Sequence, residues 1–322
     1  MKQNVRVGFV DFWPGYMPEN EFIFRALTRY YNVIIDNKKP DFLFYSCCGS
    51  EHLSYDKAVK ICYYGENLIP NFNICDYSLS CLRDSISGRN LWTPQAIRYN
   101  GEEPPAVSDS LFNRHFCNFL YSQESMGKGA QYRKDVCIEL MKYRHVDCPG
   151  KILHNMESSE LATRDSGDWH ASKIEFLKQY KFTFAFENTN TDGYMTEKLL
   201  DPLIAGSVPI YWGSEGNIDP FNKDCLICAS DFSSTEALIE RIIEVDTNKE
   251  LYLSMCAANP LRHKLLGDWM EPLSKFLFKI IEKGVQPLPK DELKMDVIHQ
   301  FYNDRWIRLY KKCRKMLKLY VG

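Results

Sequence analysis

The sequence predicts an α/β protein made of two units, each a parallel sheet with helices on its faces. Short apolar runs alternate with longer segments of helical spacing, which is a βαβ pattern, and the alternation restarts after a polar stretch near residues 100–110. The length of 322 residues agrees, since one domain takes roughly 150 residues. Two such units place a ligand cleft between them, at the carboxyl ends of the strands.

Four short apolar runs in the first half have the length and composition of strands, and the segment after the first run has apolar residues at helical spacing. The predicted strands are Val5–Phe12, Asp41–Ser46, Val59–Tyr64 and Tyr77–Leu82, and the predicted helix is Glu21–Tyr31. The stretch Asn100–Ser110 is polar, contains proline and has no periodicity. It is therefore the candidate linker.

The same alternation restarts in the second half. The predicted strands are His115–Tyr121, Lys151–Leu153, Phe182–Phe186, Val208–Trp212 and Leu226–Ala229, and the predicted helices are Arg133–Tyr143, Ala171–Tyr180 and Thr196–Ala205. Gly206 follows the last of these helices, where a C-terminal glycine commonly closes a helix. We divide the chain into an α/β domain at 1–108, a second α/β domain at 109–287 and a helical tail at 288–322.

Composition excludes several classes of protein. Hydrophobic residues make up 45% and charged residues 25%, which is typical of a folded globular chain and not of a disordered one. The formal charge is −2, so we expect no nucleic-acid partner held by electrostatics. The chain has neither a signal peptide nor a run of about 20 apolar residues. We therefore expect a cytoplasmic protein with reduced cysteines.

The C-terminal stretch Arg305–Tyr320 has seven Lys or Arg residues in sixteen positions and no acidic residue. Its apolar residues fall on one side of a helix, and a basic amphipathic helix of this kind suits an anionic membrane surface. The alternative is a helix that packs its apolar face against the protein itself. Both interpretations stay open.

The densest polar motif lies between the strand that ends at Phe186 and the helix that begins near Thr196. Two polar residues, Glu187 and Asn188, stand at the end of the strand, and Lys198 lies in the first turn of the helix. A helix N-terminus offers unpaired N–H groups and positive potential, so a phosphate is the expected ligand. The alternative is a solvated helix face beside a capped loop.

Three segments of this region together resemble the signature of the α-1,3/4-fucosyltransferases, glycosyltransferase family 10. They are Phe-Glu-Asn at 186–188, Gly-Tyr-Met-Thr-Glu-Lys at 193–198 and Val-Pro-Ile-Tyr-Trp-Gly at 208–213. Upstream, Tyr-Tyr-Gly-Glu-Asn at 63–67 resembles the acceptor-domain motif of the same family. The resemblance runs from the first strand to about residue 270, is weak from 83 to 113, and points to the bacterial type without an N-terminal membrane anchor.

The resemblance implies a GT-B architecture, in which two Rossmann-like domains face each other across a cleft. The acceptor-binding domain would be 1–108 and the GDP-fucose-binding domain 109–287. It implies inverting transfer of L-fucose from GDP-β-L-fucose to O3 of GlcNAc in N-acetyllactosamine-type glycans, as in Lewis-type antigens of lipopolysaccharide. No Asp-X-Asp pair occurs in the chain, so we expect neither a metal nor a cofactor besides the donor. The alternatives are transfer to O4, another nucleotide sugar, or a non-catalytic glycan-binding module.

Site residues follow from the same matching. Glu66 lies where a predicted strand meets its loop, in the half opposite the donor motif, and the resemblance makes it the general base that takes the acceptor's proton. Arg133 is placed against the diphosphate, with Lys198 assisting. The alternatives are an ordinary loop carboxylate for Glu66 and a charged helix start for Arg133.

Four further residues fall on donor-contact positions of the family: Lys173, Asn188, Tyr194 and Glu197. Glu197 would accept hydrogen bonds from hydroxyl groups of the ribose or of fucose. His170 is interpreted as a surface histidine. Trp212 is interpreted as a residue that packs against the end of the sheet.

Overall fold

The computed structural model describes residues 2–95, 105–122, 127–163, 169–218, 221–260 and 269–288. The first sheet contains β1 (Gln3–Val10), β2 (Tyr31–Ile35), β3 (Phe42–Tyr45), β4 (Val59–Tyr63), β5 (Tyr77–Ser80) and β6 (Asn90–Trp92). Its order is β2-β1-β3-β4-β5-β6, and all its pairs are parallel.

The second sheet contains β7 (His115–Asn118), β8 (Val146–Asp147), β9 (Tyr180–Phe186), β10 (Val208–Trp212) and β11 (Ile227–Cys228). Its order is β11-β10-β9-β7-β8, again with parallel pairs. The helices are α1 (Phe22–Thr28), α2 (Gly127–Met141), α3 (Trp169–Leu177), α4 (Glu197–Ala205), α5 (Thr235–Thr247), α6 (Lys249–Ala257) and α7 (Met270–Glu282). The predicted α/β class with two parallel sheets is confirmed.

Burial explains why the central strands are continuous apolar runs. All seven residues of β9 are buried, as are all four of β3, which is the pattern of a parallel sheet covered on both faces. Each sheet has its own core, represented by Val7 and Phe44 in the first and by Phe184 and Ile210 in the second.

Two strands of the first sheet were not predicted. The predicted helix Glu21–Tyr31 ends earlier, at Thr28, and Tyr31 begins the edge strand β2. Most of β2 is at least partly exposed, so its sequence lacks the uniformly apolar signal of a buried strand. β6 was missed because it has only three residues, of which one is buried.

One predicted strand of the second half was wrong. Residues 151–153 lie outside any strand, and the short strand of this region is β8, a few residues earlier. Leu153 has a positive φ of 56°, and Ile152 N–H donates to the carbonyl of Tyr121 at 3.1 Å. The apolar character of this segment therefore reflects packing of a loop against the segment that follows β7.

Helix α2 begins six residues before its predicted start, at 127 and not at 133. Gly129 lies in its first turn, and a Cβ there would collide with the carbonyl oxygen of Glu187. The glycine therefore permits close approach of the helix to the end of β9, although it is a poor helix former. Arg133 lies inside the helix, which corrects its placement at a helix start.

Helix α7 belongs to the core of the first sheet. Leu273, Leu277 and Ile280 pack with residues of β1, β3 and α1, and Arg29 forms an ion pair with Glu271 at 3.0 Å. The range 109–287 stays a prediction as a domain, but its last helix packs with the first half. The tail 288–322, apart from Leu288, and the linker residues 100–104 lie outside the described residues.

None of the helices in the described ranges combines the length and the apolar character needed to cross a membrane.

Candidate functional site

The end of β9 and the start of α4 are joined by one buried carboxylate. Thr196 is the N-cap of α4, and its hydroxyl oxygen accepts from the N–H of Lys198. Glu187, which is fully buried, accepts from Thr196 N–H at 2.8 Å and from Thr196 Oγ1 at 2.7 Å. Glu187 therefore fixes the first turn of α4 against the sheet, as the capping alternative of the sequence predicts.

Three charged side chains control the electrostatics of this turn. Burial raises the pKa of Glu187 to about 7, although Lys198 Nζ lies 3.8 Å from its Oε2 and favours ionisation. Burial acts against ionisation of Glu197 too, but Lys198 and Lys173 outweigh it and lower the pKa of Glu197 to about 2.

Lys198 remains a full cation at this helix start. Burial would lower its pKa, but the Glu197 and Glu187 carboxylates outweigh burial and raise the pKa above its ordinary value. Its Nζ lies 3.3 Å from Glu197 Oε1 and 3.2 Å from Thr196 Oγ1. An ammonium group beside a helix N-terminus attracts an anionic ligand.

Arg133 reaches the same edge from the second turn of α2. Its side chain is buried, with Nη1 donating to Asn188 Oδ1 at 2.9 Å and Cζ lying 3.9 Å from the centre of the Tyr121 ring. Burial lowers the pKa of Arg133, but a guanidinium keeps its charge in proteins. Arg133 and Asn188 are thus in contact, and Lys198 lies beside Glu187 at the same end of β9. Their role in holding a diphosphate stays a prediction.

Lys173 and His170 approach α4 from α3 and share one partner. Lys173 Nζ lies 2.7 Å from Asp201 Oδ2, and His170 Nε2 lies 3.2 Å from Asp201 Oδ1. Asp201 is buried, and sequence reasoning missed it. The sequence could have indicated Asp201, because it lies four positions after the predicted site residue Glu197 and therefore on the same face of the helix.

Glu66 comes to the donor motif across the cleft. It is exposed in the loop after β4, and the hydroxyl of Tyr194 donates to Glu66 Oε2 at 3.3 Å. Tyr194 is buried, and burial together with Glu66 raises its pKa. The structure therefore places the predicted base beside a predicted donor-contact residue of the other half.

The loop at 189–195 makes further contacts with the first half. Gly193 has a positive φ of 86°, and a Cβ there would collide with the carbonyl oxygen of Cys81. Trp92 Nε1–H donates to Gly193 O at 3.0 Å, and Arg83 pairs with Asp192 at 3.1 Å. Only glycine fits this contact between the halves.

Trp212 stacks on Phe186 and contacts Tyr132 edge-on. This matches its interpretation as a residue that packs against the end of the sheet. Among the residues that the structure describes, no three His, Cys, Asp or Glu side chains lie together as in a metal site.

Two family models match the chain. The Alpha-(1,3)-fucosyltransferase FucT N-terminal domain matches residues 7–99, and the Glycosyltransferase family 10 (fucosyltransferase) C-terminal model matches residues 119–257. The first range contains β2 to β6 and the second half of β1, and the second range contains β8 to β11. The site described above draws on both.

The individual relatives that the chain resembles are also named as fucosyltransferases. Alpha-(1,3)-fucosyltransferase FucT of Helicobacter pylori is 28% identical over 271 residues, which cover 76% of this chain and 57% of that protein. GDP-fucose protein O-fucosyltransferase 3 of Gallus gallus is 36% identical over 155 residues, 48% of this chain and 31% of that protein. The chain therefore spans little more than half, or less, of these relatives.

A crystal structure of alpha1,3-fucosyltransferase with GDP-fucose has the same fold. It superposes with a TM-score of 0.68 at 23% identity, over 88% of this chain and 91% of that one. The two parallel sheets are accordingly the two halves of a GT-B architecture.

Proposed function

The chain belongs to glycosyltransferase family 10, the fucosyltransferases, and on that premise we propose that it transfers L-fucose from GDP-β-L-fucose to O3 of GlcNAc in N-acetyllactosamine-type glycans. The observation that carries the proposal is the hydrogen bond between Glu66 and Tyr194, at 3.3 Å. It joins a carboxylate of the acceptor half to the donor motif of the other half. A transferase that inverts its sugar needs a base and a donor on opposite sides of one cleft.

The donor site is proposed at the end of β9. The diphosphate takes the place next to Arg133 and the first turn of α4, where Lys198 and helix N–H groups counter its charge. Glu197 is held ionised by Lys198 and Lys173, and so accepts hydrogen bonds from donor hydroxyls. The family relative solved with GDP-fucose supports this donor.

The reaction is a single displacement. The acceptor oxygen forms a bond to the anomeric carbon of fucose while the bond from that carbon to the β-phosphate oxygen breaks. Glu66 takes the proton of the acceptor hydroxyl, and the electron pair leaves with GDP. Arg133 and Lys198 neutralise the charge that develops on the departing GDP. Water in place of the acceptor gives slow hydrolysis of GDP-fucose.

Fucose transfer to N-acetyllactosamine, with EDTA present, tests this proposal in the wild type and in Glu66→Ala. We expect product from the wild type alone, and its linkage follows from NMR. A matched control is Glu19→Ala, since Glu19 is an exposed carboxylate of the first half. Equal transfer by Glu66→Ala would contradict the role of Glu66.

The acceptor class needs its own arm of the experiment, because one relative is named as a protein O-fucosyltransferase. A Ser/Thr-containing protein acceptor is offered beside N-acetyllactosamine at equal concentration. Product on the glycan supports the proposal. Product on the protein alone would keep fucose transfer and replace the acceptor, and no product with GDP still bound would favour a glycan-binding module.

The basic stretch 305–320 is our candidate contact with an anionic inner membrane surface, which would place the reaction on the cytoplasmic side. Sedimentation with phosphatidylglycerol vesicles tests it, using the full chain and a chain ending at residue 288. We expect binding by the full chain that is lost at high salt. Equal binding by both chains would contradict it.

A further inference from the structure

Resting on the proposed function, we infer that Asn67 is a positioning residue that sets the place of Glu66 relative to the bound donor. Its side chain crosses between the halves. Nδ2 donates to Thr189 Oγ1 at 2.8 Å and to Thr191 Oγ1 at 2.8 Å. The residue that follows the base is thereby fastened to the loop that follows the donor strand.

The hydrogen-bonding capacity of the Asn67 amide is engaged on both ends. While its two N–H bonds point to the two threonine hydroxyls, its Oδ1 accepts from Cys81 Sγ at 3.6 Å. A primary amide has two donors and one carbonyl acceptor. With all of them used, the side chain has one favoured orientation, and the backbone at 66–67 is held with it.

Gln95 bridges the same two segments at a neighbouring point. Gln95 Nε2 donates to Gly65 O at 2.8 Å, and its backbone N–H donates to Met195 O at 3.3 Å. Tyr194 donates to Glu66 as described above. Contacts at 65, 66 and 67 fix the segment in both position and direction, whereas the Tyr194 contact alone would leave it free to turn.

Glu66 needs such support because it is exposed on a loop. A base must lie within about 2.6–3.2 Å of the oxygen whose proton it takes, and a misplacement of about 1 Å can cost roughly 100-fold in rate. Asn67 touches neither donor nor acceptor in this scheme. Its effect on the reaction passes through the position of Glu66.

The central variant is Asn67→Ala, with transfer, GDP-fucose hydrolysis and GDP affinity each measured. We expect kcat for transfer to fall about 10- to 100-fold, with GDP affinity within about twofold of the wild type. Hydrolysis, in which water has no fixed place, falls less than transfer. The ratio of transfer to hydrolysis therefore drops.

The hydrogen bonds of Asn67 are also removed on the threonine side, by combining Thr189→Val with Thr191→Val. We expect the same loss of transfer, and little further loss when Asn67→Ala is added, because all three changes remove one interaction. Asn67→Asp keeps acceptors toward the three partners, since threonine hydroxyls can donate. It should retain transfer, with the acid limb of the pH profile moved upward by the new charge beside Glu66.

Asn155→Ala controls for a merely structural effect. Asn155 also uses its amide for two bonds, accepting from Cys148 N–H at 2.8 Å and donating to Val146 O at 2.9 Å, entirely within the second half. It should lower the melting temperature and leave kcat within about twofold of the wild type, because its bonds lie away from the cleft contacts.

Two results would overturn the inference while the wild type transfers fucose. One is an unchanged kcat in Asn67→Ala, and the other is a loss of GDP affinity in proportion to kcat. A wild-type chain without product under every acceptor condition is a different result: it refutes the proposed function, and the inference with it.

Discussion

The two halves of the molecule present different kinds of site to the cleft. In the second half, Glu187, Arg133 and Asp201 are at most 1% exposed and are held by bonds within that half. In the first half, Glu66 is exposed, and its side chain is tied to Tyr194 across the cleft. The proposed donor residues are therefore held within the second half, whereas the proposed base acquires its position from the contact between the halves.

The substitution that tests this difference between the halves most strongly is Glu66→Gln. An amide keeps the shape and the contact with Tyr194 but cannot take a proton, so kcat for transfer should fall about 10³-fold. GDP affinity should stay within about twofold of the wild type, as measured by calorimetry. A parallel loss of both would place Glu66 in the donor site and erase the difference between the halves.

The converse change is Arg133→Met, which preserves bulk but removes a buried positive charge. A hydrogen bond to a charged group contributes about 1.5–3 kcal/mol, so GDP should bind roughly 10- to 100-fold more weakly. Arg6→Met is the matched control, because Arg6 is an exposed arginine of the first half paired with Asp41. Unchanged GDP affinity in Arg133→Met would contradict the assignment of the diphosphate to the second half.

A pH dependence of donor affinity should belong to the second half alone. The pKa of Glu187 is about 7 in the fold and roughly 4.3 in an unfolded chain, so its neutral form is favoured. The stability that it contributes is fully present below about pH 4 and is lost as pH rises through 7. Ionisation also offsets Lys198, so donor affinity should fall up to about tenfold between about pH 6 and 8.

The probe for this dependence is GDP-fucose and not GDP, because a terminal phosphate has a pKa of about 6 of its own. Glu187→Gln should bind GDP-fucose with an affinity that no longer changes across this range. If the affinity for GDP-fucose still changes with pH in Glu187→Gln, the pH dependence comes from another group.

The smallest expected effect is that of Asp201→Asn. The amide still reaches Lys173 and His170 but loses the charge, so Lys173 is less firmly held beside Glu197. We expect KM for GDP-fucose to rise about two- to fivefold, since the amide keeps a hydrogen bond to Lys173 and only the part of that bond that depends on charge, about 1 kcal/mol or less, is lost. A change in kcat without a change in KM would contradict a donor-side role.

Whether a feature of this fold could be predicted from the sequence depends on how far apart in the chain its contacting residues lie. The strand at 180–186 and the cap at Thr196 follow from local patterns, since burial on both faces and helix capping leave signals within a few residues. The edge strand β2 was missed and the loop at 151–153 was misassigned, because their structure depends on partners that lie elsewhere in the chain and leave no local pattern.

The site shows the same division. Glu66, Asn188 and Lys198 lie in motifs that resemble those of a known family, and the same resemblance implies a role for Arg133. The structure places Glu66 against Tyr194 and places Arg133 against Asn188. Asn67 was quoted only as part of a motif, because its partners lie more than 120 positions away. No local pattern indicates a contact between two loops of different halves.

The return of α7 to the first sheet has a consequence for biosynthesis. A ribosome adds about 5–20 residues per second and domains commonly fold in order from the N-terminus. Here the second sheet is complete once residue 228 has emerged, whereas the first sheet keeps an uncovered apolar face until Leu273, Leu277 and Ile280 arrive. The half that is synthesised first is therefore the last to close its core, and its apolar face stays exposed during the intervening seconds.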